Sequence, residues 1–200
     1  MLLKICGLRE AENIRAVEAA AAPDWAGFIF YPKSPRFVSQ PPAYLPKCRR
    51  IGVFVSPTEA DVMPRVKNFG LWGVQLYAVA PDFCRKMRKN GLHVIVALSA
   101  TGDIDRLAES FLDCADHFLF DTPTAGYGGS GRSFDHSILA TYHGAVPFLL
   151  GGGLNPQSLP AIRRIRHPRF VGIDLNSGFE VAPAVKNSVE LGNFVRELRF

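Results

Sequence analysis

Short apolar runs alternate with helix-forming stretches eight times along this chain, and few architectures accept that rhythm. Runs of strand length occupy residues 2–5, 25–30, 50–55, 72–77, 93–98, 116–120, 146–150 and 170–175. Between them, residues 10–22 place Ile14, Val17 and Ala21 at helical spacing. Residues 58–69, 81–90, 103–113, 155–164 and 188–198 read as further helices. Ser56 and Pro57 read as the cap and first turn of the second helix, Pro64 as a point of kinking, and Gly91 as the stop of the third. Residues 41–48 make at best a short helix, and residues 135–140 another. Residues 31–37, with two prolines, and the Gly-rich residues 121–132 read as loops. Short connections between alternating elements require a parallel sheet, and eight such units close into a (β/α)8 TIM barrel. With 200 residues, at the short end for that fold, residues 1–200 read as one domain. An open doubly wound sheet needs fewer units and a Gly-x-Gly-x-x-Gly turn after the first strand, which Lys4-Ile5-Cys6-Gly7-Leu8-Arg9 does not supply.

Charge and cysteine spacing exclude several functions. The net charge of +5 comes from 23 Lys and Arg against 18 Asp and Glu. Its small clusters at residues 47–50, 85–89 and 163–169 read as solvated faces, with no nucleic-acid-binding module around them. A modest positive field favours a small anionic substrate. No apolar run is long enough to span a membrane, the N-terminus does not read as a signal peptide, and the cytoplasm is the expected compartment. Cys6, Cys48, Cys84 and Cys114 lie far apart and the histidines form no helical pair, so neither a metal nor a disulfide is expected.

In a barrel the C-terminal strand ends share one face, where barrel enzymes place their chemistry. Cys6 stands at the end of the first strand, before Gly7, although a strand cysteine is ordinarily a small buried hydrophobe. Asp121 ends the sixth strand and is either a general acid or base or a turn former. Arg36, in the loop after the second strand, has the planar fork that suits a carboxylate or phosphate, or is a solvated loop residue. Gly152 and Gly153 after the seventh strand, with Asn176 and Ser177 after the eighth, stand where barrel enzymes often bind phosphate.

These segments together resemble phosphoribosylanthranilate isomerase, a (β/α)8 enzyme family of tryptophan biosynthesis. The resemblance rests on Lys4-Ile5-Cys6-Gly7, residues 27–38, 52–55 and 74–76, Phe118-Leu119-Phe120-Asp121, Gly128-Gly129-Ser130-Gly131 with Phe134 and Asp135, residues 152–156, and residues 174–178 with Glu180, in order over the whole chain. It implies an Amadori rearrangement of N-(5-phosphoribosyl)anthranilate to 1-(2-carboxyphenylamino)-1-deoxyribulose 5-phosphate, without a cofactor. By resemblance, Cys6 is the general base, its thiol activated by a pKa lowered from about 8.5, and Asp121 is the general acid, kept protonated by partial burial. Arg36 then holds the anthranilate carboxylate. Gly152, Gly153, Asn176 and Ser177 hold the phosphate. Gly128, Gly129, Ser130 and Gly131 form a mobile loop over the substrate. Asp174 matches a family position whose role the resemblance leaves open. The family includes monomers and homodimers.

One segment departs from the family. Where Gln-Leu-His-Gly is usual at the fourth strand end, this chain has Gln75-Leu76-Tyr77-Ala78. A phenol replaces an imidazole, and Ala78 adopts positive φ less cheaply than glycine. A non-catalytic or altered-specificity phosphate-ligand-binding paralogue would account for that change, but retention of both Cys6 and Asp121 speaks for an enzyme. The sister isomerase of histidine biosynthesis would have an Asp after the first strand and a second phosphate loop.

Overall fold

The computed structural model describes residues 1–99, 103–121, 139 and 141–199. Eight parallel strands close into a barrel in chain order: β1 (Leu2–Ile5), β2 (Trp25–Ile29), β3 (Arg49–Val55), β4 (Gly73–Tyr77), β5 (His93–Ser99), β6 (His117–Asp121), β7 (Phe148–Leu150) and β8 (Phe170–Leu175). β1 pairs with both β2 and β8, and Lys4 lies opposite Asp174 across the closing seam. The helices α1 (Ala11–Ala21), α2 (Glu59–Phe69), α3 (Pro81–Lys89), α4 (Ile104–Glu109), α5 (Leu159–Arg164) and α6 (Ser188–Arg199) complete the described (β/α) units. α1 and α6 pack closely, with Gly192 against Ala20. None of the described helices is long and apolar enough to cross a membrane.

Successive side chains on a strand point to opposite faces, and each strand divides accordingly. Leu3, Ile5, Phe28, Val74, Phe118 and Ile173 join the large core shared with the helices. The alternate positions fill the barrel lumen in layers. Trp25, Ile51, Ile95, Leu119 and Leu149 form an apolar floor near the strand starts. Cys6, Ile29 and Val53 form a smaller cluster near the strand ends. Lys4, Gln75 and Asp174, all buried, occupy the same inward-facing set. A fully buried Leu, Ile or Phe contributes roughly 1.5–3 kcal/mol, so the outer core carries most of the stabilisation and leaves the lumen room for polar groups.

Some expected elements change. Residues 41–48 are not helical, and β2 passes to β3 through a loop. Phe30 stacks on Phe54 and meets Phe69 edge-on, while Phe28 packs on Phe69, so aromatic rings cover the ground a helix would have covered. α2 is capped by Thr58, not Ser56. Thr58 and Asp61 form a reciprocal capping box, which satisfies two orphan N–H groups where Ser56 would satisfy one. α2 runs unbroken through Pro64. α4 ends at Glu109 rather than near residue 113. A short hairpin follows β8, formed by β9 (Glu180–Ala182) and β10 (Val185–Lys186). Of the expected helix at 135–140, all but Leu139 lies outside the described residues.

The strand starts build a cluster of rings. Arg49 lies over Trp72, with its guanidinium 4.2 Å from the ring, and Trp72 stacks on His93 at 4.2 Å. His93 Nε2 and His117 Nδ1 share a hydrogen at 2.8 Å, with Trp25 edge-on to both. Burial lowers both histidines, and His117 falls from 6.5 to about 4, helped by its neighbour His93. The folded state therefore resists a proton that the unfolded chain accepts. The associated stability is present above pH 6.5 and is lost as the pH falls toward 4. Urea midpoints from pH 7 to 4 test this: the wild type loses on the order of 2 kcal/mol to this pair, and His117→Gln flattens the dependence.

Candidate active site

The first strand begins the site. Cys6 continues the β1–β8 pairing, its N–H donating to the Leu175 carbonyl at 2.9 Å. Gly27, beside it on β2, leaves the space that Cys6 occupies, since a Cβ there would lie 2.8 Å from Sγ. Two positions before Cys6, Lys4 points into the lumen and donates to Asp174 Oδ2 at 2.7 Å, with both side chains almost fully buried. Burial would lower the Lys4 ammonium, but Asp174 and Cys6 outweigh it and hold the pKa above the ordinary lysine value. Burial also raises the Cys6 thiol, and the positive charges of Lys4 and Lys186 offset only part of that rise. The expected lowering of the Cys6 pKa is thus reversed, because desolvation exceeds the attraction of both ammonium groups.

Asp121 ends β6 on the same rim. Tyr77, the last residue of β4, donates its phenol proton to Asp121 Oδ2 at 3.0 Å and accepts from Gln75 Nε2 at 3.0 Å. The Tyr77 ring packs on the cluster of Cys6, Ile29 and Val53. The phenol therefore lies between the two groups with acid–base potential. Burial, followed by the charge of Asp121, raises its pKa well above the usual value, so it keeps its proton. Ala78 takes φ +50°, the left-handed conformation that the residue-for-glycine exchange makes strained.

Arg36 reaches the rim from the β2–β3 loop and is buried. Its Nε and Nη2 grip the Glu180 carboxylate at 3.0 and 2.7 Å. Glu180 also accepts from Lys186 Nζ at 2.5 Å, and that ammonium donates to Asn176 Oδ1 at 2.7 Å. Asn13 of α1 holds the Lys186 backbone by two reciprocal bonds of 2.9 Å. The hairpin is thereby fastened beside Gly7, whose φ of +72° and missing Cβ admit Asn176, Arg36 and Lys186. Burial opposes the Glu180 charge, but Arg36 and Lys186 together lower its pKa.

Gly152 and Gly153 adopt φ of +78° and +66° after β7, and Asn155 caps the turn that leads into α5. Asn176 and Ser177 begin a single 3-10 turn after β8. The two loops touch backbone to backbone at Gly178, where a Cβ would collide with the Leu154 carbonyl. The structure thus brings Gly152, Gly153, Asn176 and Ser177 to one corner of the rim, beside Lys186. Gly128, Gly129, Ser130 and Gly131 lie outside the described residues.

Lys4, Gln75, Glu180 and Lys186 are the participants that the pattern of motifs did not assign. A lysine and a glutamine inside otherwise apolar strands were the available signal for the first two. Among the described residues, no group of three or more His, Cys, Asp or Glu side chains could hold a metal ion. All four cysteines are free thiols.

Residues 3–197 match the family described as N-(5'-phosphoribosyl)anthranilate isomerase. An N-(5'-phosphoribosyl)anthranilate isomerase of Phocaeicola vulgatus is 47% identical, over 100% of this chain and 98% of its own length. Among solved structures, the phosphoribosyl anthranilate isomerase of Thermus thermophilus superposes with a TM-score of 0.81 at 26% identity, covering 100% of this chain and 98% of that one. A phosphoribosyl anthranilate isomerase in complex with reduced 1-(o-carboxyphenylamino)-1-deoxyribulose 5-phosphate superposes with a TM-score of 0.77 at 26% identity, covering 100% and 98%. Shared along nearly its whole length in both sequence and barrel, this chain belongs to the N-(5'-phosphoribosyl)anthranilate isomerase family.

Proposed function

We propose that this chain isomerises N-(5'-phosphoribosyl)anthranilate to the aminoketose without a cofactor, with Asp121 as general acid and Cys6 as general base. The observation that carries the assignment is the placement of both groups on one rim of the barrel, joined through Tyr77. Asp121 gives its proton to the ribose ring oxygen, the C1–O bond breaks, and the nitrogen lone pair forms a protonated imine. Cys6 as thiolate then takes the C2 proton, and the electrons of that C–H bond move into the imine to give the enolamine. The enolamine tautomerises to the ketone. The imine is its own electron sink, which is why no cofactor is called for.

The raised Cys6 pKa fits this order of events. A thiol of high pKa is a strong base once ionised, and ring opening delivers a cation beside it. That cation, with Lys4 and Lys186, favours loss of the thiol proton to water, so that Cys6 is a thiolate when it takes the C2 proton. Arg36, clamped edge-on by Glu180, is held rigid for the anthranilate carboxylate, at little further cost in side-chain entropy. Gly152, Gly153, Asn176 and Ser177 take the phosphate, with the positive-φ glycines turning backbone toward it. Gly128 to Gly131 form the closing loop.

Two measurements test these roles. With substrate generated in situ and its fluorescence followed, Cys6→Ser and Asp121→Asn each lower kcat by about 10²–10⁴, the usual range for a lost acid or base. Full turnover in either variant would remove that residue from the mechanism, and no turnover by the wild type would leave a ligand-binding paralogue. Gly178→Ala forces the β7 and β8 loops apart, so KM rises about tenfold or more while kcat changes less. An unchanged KM would place the phosphate elsewhere.

A further inference from the structure

We propose that Tyr77 is a positioning residue for the acid: its phenol orients the Asp121 carboxyl and takes up the charge that forms there when Asp121 protonates the ring oxygen. The inference rests on the reading of Asp121 as the general acid. It concerns the segment where this chain departs from the pattern it otherwise follows.

Four features of the structure build it. First, the phenol donates to Asp121 Oδ2 at 3.0 Å. Second, Gln75 directs the phenol: its Nε2 donates to the Tyr77 oxygen at 3.0 Å, leaving the hydroxyl proton aimed at Asp121. Gln75 is 2% exposed, and its Oε1 has no partner among the described residues. A buried amide polar group left without a partner costs stability, and the bond from Nε2 to the phenol satisfies the other end of this side chain. Third, the ring is wedged on Cys6, Ile29 and Val53, which fixes the hydroxyl from behind. Fourth, the backbone is clamped at the same point: Ser56 N–H donates to the Tyr77 carbonyl at 3.0 Å, and Ser56 Oγ to the Ala78 carbonyl at 3.2 Å. Ser56 and Ala78 both take positive φ there. Strain of that kind persists where surrounding contacts over-determine the geometry.

The chemical effect follows from charge. While Asp121 holds its proton, the phenol bond is neutral. When the proton passes to the ring oxygen, an O–H bond on Asp121 breaks, one on the substrate forms, and the pair left behind resides on the carboxylate. The phenol keeps its own proton throughout, and its bond to Oδ2 becomes charge-assisted, roughly twice as strong as before. The bond is thus stronger after proton transfer than before it, which is the condition for accelerating a step rather than only binding substrate. Among the described residues, the charges acting on Tyr77 include Asp121 from β6, Asp174 from β8 and Cys6 beyond β1. Asp174 is itself paired to Lys4, so Asp121 is the partner whose charge changes in this step.

A double-mutant cycle tests the proposal. Tyr77→Phe keeps the ring and removes only the hydroxyl. It is expected to lower kcat about tenfold with KM within about twofold. The limb of the kcat–pH profile that reports loss of the acid's proton moves to higher pH, because the carboxylate has lost a donor. In an Asp121→Asn background the same change alters kcat by less than about twofold. Gln75→Met, which frees the phenol but leaves it in place, shifts the same limb in the same direction by less. An unchanged kcat and pH profile in Tyr77→Phe, with Asp121→Asn crippled, would overturn the proposal and leave the acid assignment standing. An equal tenfold loss in both backgrounds would also overturn it, making Tyr77 act independently of Asp121. Wild-type turnover by Asp121→Asn would instead remove the acid assignment, and the proposal with it.

Discussion

The ion pair between Lys4 and Asp174 ties the closure of the barrel to the position of the site. The two residues are register partners across the β1–β8 seam and meet in the lumen at 2.7 Å. A buried ion without its partner costs several kcal/mol, so the pair is destabilised sharply by any change that separates the charges. A slip of one residue in either strand would turn one charge outward into the apolar shell between strands and helices. The seam is therefore fixed by a penalty on every wrong register more than by a large gain in the right one. Cys6 is the next inward position just past β1, and Asn176 the next beyond Asp174 on the β8 side. The contact that fixes closure thus places the thiol and one side of the proposed phosphate corner as well.

Several costly features lie on the lumen and rim near this pair. Gln75 Oε1 and Asp174 Oδ1 are buried without partners among the described residues. Ser56, Ala78, Gly152 and Gly153 at the strand ends all take positive φ. In the outer shell, Phe28, Phe118, Phe120 and Phe148 are fully buried and each packs on another aromatic ring. Stability is concentrated outside the barrel wall and chemistry inside it. The wall is one residue thick, and strand alternation alone separates the two.

That alternation explains what could be read from the sequence. The eight strands and most helices were legible because each is a short run of apolar residues between turn-forming residues, and the outer shell needs those runs. The end of each strand was legible for the same reason, and with it the rim positions of Cys6, Asp121, Gly152 and Asn176. The partners were not. Lys4 to Asp174, and Arg36 to Glu180, are 170 and 144 residues apart, and only closure of the barrel brings them together. The hairpin that carries Glu180 and Lys186 is too short to show a strand pattern. The helix expected at residues 41–48 failed because Tyr44 and Leu45 supply apolar contacts to the core without helical backbone. Ser56 was read as a cap because it precedes Pro57, but Thr58 had the acidic partner three residues on.

The loop in place of a helix after β2 has a consequence for how this chain can change. Tyr44 is bonded to Glu18 of α1 and covered by Arg15, with its guanidinium 4.4 Å from the ring. Val38 N–H donates to the Ile29 carbonyl at 3.0 Å, and Arg36 lies between these anchors and the rim. After β4, by contrast, the rim loop and the helix α3 that covers the core are separate segments. Here one segment serves both purposes. Insertions near Arg36 would also unroof part of the core, so this loop is less free to change length than a rim loop backed by its own helix.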